Sequence, residues 1–535
     1  MTYTPRSPEE RSSAPRGLPT GSFEEWAEWS AGEKTTPRLT AVEVATGTET
    51  LTVVAAPPTR LTQRLRAHRM PLMAVTALIV IAQIIMRSVN PWQAPTPDSQ
   101  EYLALARDIA QGVSFMNARR TPGYPLFIDA VYAVGGWGNL GALVTAQTAL
   151  AVLTVFGIYL LSWRLSRRPW LAAAVAGLCA INPYLFDYVF VVRDEAFSTF
   201  LLVIYFLLVE RIMALWVSGR REERARTGRD WLWLVGLILL SVVLILTRPA
   251  LITLPATVLL IALAIALWRR RDQWRKRMGG LAFTLVAVYA LIVGYMAWNR
   301  VTNDYFGISY IGGVNVFGRI LNHHQGNLSV SPQFQAAQRN LLLFEQEHSS
   351  SAWTFATQYG YTGDFYATLT GYGTNFIERH PAAYLSAALE DLPRVWMVDP
   401  WQAIRQSFHE RAFSVIRDIG FVSLKTYALL PLILLWVAWR LWRERDNHVL
   451  QMQLVALLSV IGMIVVLSLT SYNEFFRLRS PLDWSYLMVE ILAFWDVTRF
   501  FWPRFAPRLE PYLRKLGKPG ERIVAALSES PAQGI

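Results

Sequence analysis

The sequence predicts an all-α integral membrane protein of about ten transmembrane helices, with amphipathic helices on its outer surface and a small extracytoplasmic lobe. Three observations carry this expectation. Apolar residues fill 53% of the 535 positions and charged residues only 17%, a balance foreign to disordered chains and uncommon in soluble domains. The apolar residues are gathered into blocks of about twenty, the length a helix needs to cross a bilayer. Between the blocks, arginine-rich connections alternate with arginine-poor ones, as the positive-inside rule requires.

Residues 1–60 are rich in Pro, Ser, Thr and Glu, show no helical periodicity, and read as a disordered cytoplasmic tail without a secretory signal pattern. The first apolar run, Met70 to Met86, follows Arg60, Arg64, Arg66 and Arg69, which sets its amino end on the cytoplasmic side. Nine further spans are expected at 139–163, 169–189, 195–216, 231–247, 250–268, 280–298, 423–441, 449–470 and 481–498. The connections assigned inward carry Arg164, Arg167 and Arg168, then Arg220 to Arg229, then Arg269 to Arg277, then Arg440, Arg443 and Arg445. Those assigned outward carry chiefly Arg193, Arg248, Arg477 and Arg479. Arg248-Pro249 is the only interruption between 231 and 268, which predicts a tight hairpin of two spans.

Two outward segments are long. In the first, Tyr102, Leu103, Leu105, Ala106 and Ile109 recur at helical spacing, which predicts a helix lying along the membrane surface. The second, 301–422, is large enough for a folded lobe. The chain thus divides into the tail, a transmembrane core over 61–300 that includes the first outer loop, the lobe, C-terminal transmembrane helices over 423–500, and a basic cytoplasmic tail over 501–535 whose first part reads as an inner-surface helix.

Charge placement excludes several functions. The formal net charge is +12, but the excess sits beside the spans, so nucleic acid is not an expected partner. The single cysteine, Cys179, permits no internal disulfide and no CxxC chemistry. The spans are nearly free of ionisable residues at mid-depth, unlike those of ion-coupled carriers; Glu490 and Asp496 in the last span are the exception. Outside the cytoplasmic connections the charges collect at the outer ends of spans: Asp98, Glu101, Arg119, Arg120, Arg193, Asp194, Glu195, Arg248, Asp391, Arg477 and Arg479.

Such a ring suits a reaction between a lipid-borne phosphate and a watery acceptor. Transfer of a sugar from a polyprenyl phosphate needs a carboxylate to take the acceptor's proton and cations to hold the departing phosphate. A phosphate leaves as a stabilised anion, so a second carboxylic acid is not demanded. Arginine suits the phosphate because its planar fork binds two oxygens at once.

Each residue also has a plainer reading. Asp98 and Glu101 have the spacing of a capping box, and Asp194 with Glu195 could cap the following helix. Arg193, Arg477 and Arg479 could anchor to lipid headgroups, and Pro122, Gly123 and Pro125 could shape a turn after Arg119 and Arg120. His323 and His324 lack a third ligand at a recognisable spacing, so no metal site is expected, although a divalent ion remains open. Trp92, Trp298, Trp396 and Trp401 fit an aromatic belt.

The runs PDSQEYLALARDIAQG and RRTPGYPLF, with VRDEAF at 192–197, TRPA at 247–250 and RLRSPLDW at 477–484, resemble the polytopic glycosyltransferases of the GT-C fold, specifically the dolichyl-phosphate-mannose protein mannosyltransferase and bacterial aminoarabinose transferase superfamily. The resemblance implies a polyprenyl-phosphate-linked sugar donor, transfer of a hexosyl or pentosyl group to a glycan, lipid or protein acceptor, inversion at the anomeric carbon, and an extracytoplasmic active site in a multi-pass plasma-membrane protein. It implies Asp98 as catalytic base and Glu195 as its helper. Donor and acceptor contacts then fall to Glu101, Tyr102, Arg120, Arg193, Arg248, Arg477 and Arg479. Many relatives carry Asp-Glu where this chain has Asp98-Ser99, a departure that bears on any bridging metal. The rival readings are a polytopic transporter or lipid flippase, which inverted repeats would favour, and a scaffold using the outer lobe.

Overall fold

The computed structural model describes residues 60–89, 97–117, 119–182, 187–217, 229–269, 274–323, 363–396, 426–471 and 475–528, with isolated positions between 325 and 339. The expected tail before residue 60, the tip after 528, Trp92, His324 and Trp401 lie outside the described residues, as does much of the expected lobe.

Among the described residues every regular element is helical. Six helical stretches are long and apolar enough to cross a membrane: Ala67–Ile85, Leu140–Ser166, Glu195–Leu215, Pro249–Trp268, Met278–Asn303 and His448–Thr470. Each coincides with an expected span. The chain is a multi-pass helical membrane protein.

Helix α1 (Arg60–Val89) begins the bundle. Two short helices follow, α2 (Pro97–Ala110) and α3 (Gly123–Gly135), and then α4 (Leu140–Ser166), which Asn139 caps by accepting from the Ala142 N–H. Helix α5 (Pro169–Ala180) corrects the span expected over 169–189: it has 12 residues, about 18 Å of rise against about 30 Å of hydrocarbon. The sequence Asn182-Pro183 explains the early stop, because a residue before proline is driven out of the helical region. The alanine-rich face of α5, Ala172, Ala173, Ala176 and Ala180, lies in one cluster with Val75 and Ile79 of α1. Small side chains there let the two backbones approach closely.

After a 3-10 turn at Asp187–Phe190 comes α6 (Glu195–Ile212), continued by a π turn at Met213–Val217. Helices α7 (Arg229–Thr247) and α8 (Leu254–Arg269) are separated by the expected break, with Arg248 extended and Pro249–Leu251 in a 3-10 turn. They scarcely touch each other and both pack instead on the helix that follows, so the expected tight hairpin is corrected to two helices splayed across a third. The rest of the chain adds α9 (Trp274–Asn303), α10 (Ile311–Asn322), α11 (Gly363–Arg379), α12 (Pro381–Trp396), α13 (Leu430–Arg443), α14 (His448–Thr470), α15 (Phe475–Arg514) and α16 (Lys518–Ser528). The largest core cluster joins α6, α8, α14 and α15, where Phe206 meets Trp484 edge to face at 5.5 Å.

In the lobe region α10 packs on α11 and α12 around Val314, Phe317, Phe376 and Tyr384. Gly313 makes this possible, since a Cβ there would sit 1.9 Å from Thr370 Oγ1. Arg319 and His323 both reach Asp391 of α12, at 3.1 and 2.9 Å. His323 is thereby engaged in an ion-pair cluster, and the outer-ring residue Asp391 serves packing of the lobe.

Arg164 and Arg440, two of the arginines assigned inward, also find partners. Glu210 of α6 takes Arg164 of α4 at 2.6 Å and His448 of α14 at 3.0 Å. Asp496, an exception to the clean spans, is held by Arg440 at 3.1 Å and by the Trp436 indole N–H at 3.0 Å. A buried carboxylate in a membrane protein is tolerated when paired in this way.

Candidate active site

Helix α2 buries Tyr102, Leu105 and Ala106. That packing sets Asp98, Glu101 and Tyr102 along one side, three and four residues apart. Gly112 closes the helix at φ +65°, a conformation open to glycine, and the chain returns through Arg119 and Arg120. The TPGYP stretch does not form the expected turn: Pro122 is the N-cap of α3, and Gly123 and Pro125 lie in its first turn. Gly123 is required by close approach, because an added Cβ would stand 2.4 Å from Thr247 Oγ1 and 2.7 Å from Thr247 N. The first outer loop is therefore pressed against the residue preceding Arg248.

Arg120 is the centre of the cluster. Its Nη2 donates to Asp98 Oδ1 at 2.5 Å, its Nε to Glu101 Oε2 at 2.7 Å and its Nη1 to the Tyr102 hydroxyl at 3.3 Å. The guanidinium also lies over the Tyr102 ring at 4.6 Å. Burial works against the charge of Arg120, but the neighbouring Tyr102, Asp98 and Glu101 outweigh it and hold the guanidinium above its ordinary pKa. Both carboxylates are thus drawn to an arginine rather than spent on a capping box alone. Arg193 approaches Asp98 Oδ2 at 3.9 Å and Arg119 approaches Glu101 at 3.7 Å.

The connection between α5 and α6 arrives through a separate brace. Gln147 of α4 donates to the carbonyls of Val189 and Val191 at 2.7 and 3.0 Å and accepts from the Tyr124 hydroxyl of α3. Burial, with Asp194 and Tyr102 nearby, pushes the Tyr124 phenol well above its ordinary pKa, so it remains a donor. This fixes the strand of chain leading into Arg193, Asp194 and Glu195.

Asp194 is the N-cap residue of α6, yet its side chain makes no cap hydrogen bond. It accepts instead from the Tyr102 hydroxyl at 3.3 Å and from Arg248 Nη1 at 3.1 Å. Arg248 Nη1 also stands 3.6 Å from Glu195 Oε1. The sequence left Asp194 open between a cap and a member of the outer charge ring, and did not show its place as the link between two loops. The signal available was its place beside Glu195 in the RDE run. The same face gains a third support where Ser309 Oγ donates to the Arg119 carbonyl at 2.6 Å.

Seven sequence-assigned residues thereby converge: Asp98, Glu101, Arg120, Arg193, Glu195 and Arg248, with the Tyr102 hydroxyl, form one network of carboxylates and guanidiniums bridged by Asp194. Exposure is graded along it. The Asp98 and Arg193 side chains retain 21% and 18% of their surface, whereas those of Arg248, Asp194 and Glu195 retain 5% or less. Solvent or a ligand can reach the Asp98 end, and the Arg248 end is sealed.

Arg479 belongs to a different network. It is fully buried, donates to the Val395 and Trp396 carbonyls at 2.7 and 2.9 Å and to Asp483 at 3.1 Å, and lies over the Tyr427 ring at 4.2 Å. Full burial excludes the headgroup-facing alternative for this residue. Arg477 lies in α15, but its side chain is outside the described residues. Among the described residues no group of three or more His, Cys, Asp and Glu side chains gathers as a metal site would. Of the aromatic-belt residues, Trp298 is half-exposed and stacked on Phe115 at 5.8 Å, and Trp396 donates to the Tyr427 carbonyl.

Fold and site define a class: a polytopic helical membrane protein with a carboxylate and guanidinium cluster where its first and second outer loops meet. No family model and no curated protein matches the sequence. Among solved structures, the chain is similar to the oligosaccharyltransferase of Archaeoglobus fulgidus in the apo form, with a TM-score of 0.45 and 15% identity over 80% of this chain and 51% of that one. It therefore spans about half the length of the archaeal enzyme. It is also similar to ArnT from Cupriavidus metallidurans bound to undecaprenyl phosphate, with a TM-score of 0.33 and 14% identity over 81% of this chain and 80% of that one.

Proposed function

We propose that this protein is a membrane glycosyltransferase that moves a sugar from a polyprenyl-phosphate donor to an acceptor hydroxyl at the extracytoplasmic face of the plasma membrane, with both termini in the cytoplasm. The observation that carries the reading is the Arg120 fork, which holds Asp98 and Glu101 and is joined through Tyr102 and Asp194 to Arg248. Carboxylate and cation stand side by side there, as proton removal and phosphate departure require. The motif runs that resemble GT-C enzymes supply these same residues.

In the reaction, the Asp98 carboxylate takes the proton of the acceptor hydroxyl as that oxygen forms its bond to the anomeric carbon. The bond from this carbon to the phosphate oxygen breaks, and its electron pair leaves with the phosphate. Attack from the face opposite the phosphate inverts the centre. Arg193, whose contact with Asp98 is long, and the Arg120 fork turn toward the phosphate and neutralise it. Releasing those cations from Asp98 makes it a stronger base, so donor binding prepares the proton transfer. Glu195 acts from behind, keeping Arg248 and Asp194 in register. Arg479 is assigned to holding α12 against α15, in a network separate from the site.

Purified protein in lipid nanodiscs, supplied with a panel of polyprenyl-phosphate sugars, provides the test. Asp98→Asn should lower transfer by roughly a hundredfold or more, the scale of general base catalysis, while undecaprenyl phosphate still binds. Undiminished turnover by this variant overturns the assignment of Asp98, and failure of the native protein to bind any polyprenyl phosphate overturns the reading as a whole.

A further inference from the structure

Helix α15 continues well beyond the last expected span, and its far half has an organisation that the reaction does not use. Phe505, Leu509 and Tyr512 are spaced by four and three residues, which places them on one face of the helix, and Leu516 follows in the turn that closes it. All four are exposed, from 47% to 69% of their surface. Eleven residues earlier, three turns back along the same face, Phe494 is 74% exposed within the span expected over 481–498. The exposed face within the expected span is therefore continuous with the stripe beyond it.

The neighbouring faces of the helix are also committed. On one flank Trp502, Ala506 and Leu513 pack against Val524 and Leu527 of α16, and the Trp502 indole donates to Ser528 at 3.2 Å. On the other flank stand Arg504, Arg508 and Lys515. Between 499 and 522 there are seven Lys and Arg residues against two acids, and one of those acids, Glu510, pairs with Arg514. Pro503, Pro507 and Pro511 lie within the helix on the face opposite the stripe. A proline ring pushes away the carbonyl four residues before it and opens the helix on its own side, so three in register favour an axis bent toward the apolar stripe.

The same end of the bundle is rimmed by arginines stacked on tryptophans: Arg168 on Trp495 at 5.1 Å, Arg445 on Trp268 at 5.1 Å and Arg443 on Trp439 at 4.9 Å. Trp rings with guanidiniums above them are suited to the headgroup level, where an apolar body meets a wet, charged layer.

We propose that residues 499–516, braced by α16, dock on an anionic phospholipid surface at the arginine-rich face of the bilayer. The stripe Phe505–Leu509–Tyr512–Leu516 enters the boundary between headgroups and acyl chains, and Arg504, Arg508 and Lys515 pair with lipid phosphates. Apolar burial and attraction to anionic lipid combine in such a helix, and neither alone gives firm attachment.

The test uses the full chain in nanodiscs, where the single native cysteine, Cys179, is fully buried and out of reach of labels. A spin label at Leu509→Cys is compared with one at Glu510→Cys, on a face turned away from the stripe, by collision with oxygen and with a water-soluble nickel chelate. In phosphatidylglycerol-containing discs the Leu509 label should be shielded from nickel and open to oxygen, and the Glu510 label should show the reverse. In phosphatidylcholine discs, or with Arg504→Gln and Arg508→Gln, the shielded fraction should fall, by about fivefold in the docked-to-released ratio for each arginine neutralised. A Leu509 label equally open to nickel in every lipid overturns the proposal. So does shielding that persists without anionic lipid and without both arginines, or shielding that rises with protein concentration, which would assign the stripe to a second copy of the chain.

Discussion

Arg120 and Asp98 share a hydrogen bond of 2.5 Å within the first outer loop, although they are 22 positions apart in the chain. A carboxylate held this way is a poor base until something competes for the cation, and a lipid phosphate is such a competitor. In the proposed reaction, the pair would therefore link donor binding to proton removal.

Arg120→Lys keeps the charge and loses the fork that spans Asp98, Glu101 and Tyr102. Transfer should fall by about tenfold or more, the loss of one or two charge-assisted hydrogen bonds of about 1.5–3 kcal/mol each. Steady-state kinetics of transfer checks this, and kcat/KM equal to that of the native protein counts against Arg120 as the coupling residue.

Asp194 and Arg248 are each about 4% exposed, so removing one partner strands a buried charge. Asp194→Ala should destabilise the protein by about 3–5 kcal/mol, whereas Asp194→Leu combined with Arg248→Met and Glu195→Gln, which leaves no buried carboxylate without its arginine, should recover most of the loss. Unfolding followed in detergent separates the two cases. Tyr102→Phe should cost less, because it removes a single hydroxyl shared by Asp194 and Arg120.

Gly123→Ala introduces a Cβ with no room beside Thr247. About 1–3 kcal/mol of stability should be lost, and transfer should fall further than stability alone explains, because α3 and the first loop would be levered off Arg248. The melting temperature and the activity of the fraction that remains folded give the two readouts.

Glu210→Gln breaks the buried contacts to Arg164 and His448 at the other end of the bundle. Stability should drop by about 3 kcal/mol while donor affinity measured on folded protein stays as it was. Arg479→Ala should behave in the same way through Val395, Trp396 and Asp483, and a selective loss of donor affinity in that variant would return Arg479 to the phosphate site.

The sequence by itself determined where most helices run. Blocks of apolar residues, the Arg248-Pro249 break and the alternation of arginines are local patterns, and a bilayer enforces them residue by residue. It also marked charges that the fold brings together in the candidate site, since a charge at the end of an apolar block has few structural reasons to be there. Only the tertiary structure decided which charges meet. Tyr102 and Asp194 are 92 positions apart, and no local spacing says that Asp194, rather than Glu195, makes the closer contact with Arg248. Arg477 and Arg479 looked alike as outer-end arginines, yet Arg479 is sealed against Val395 and Trp396 by the packing of α12 on α15. The helix starting at Pro169 stops after 12 residues within an apolar run that continues, because a proline constraint and packing on α1 outweigh hydropathy there. Helical periodicity is written in neighbours three and four residues away, whereas pairing of charges depends on which helices pack together, and that is settled by the shapes of their faces.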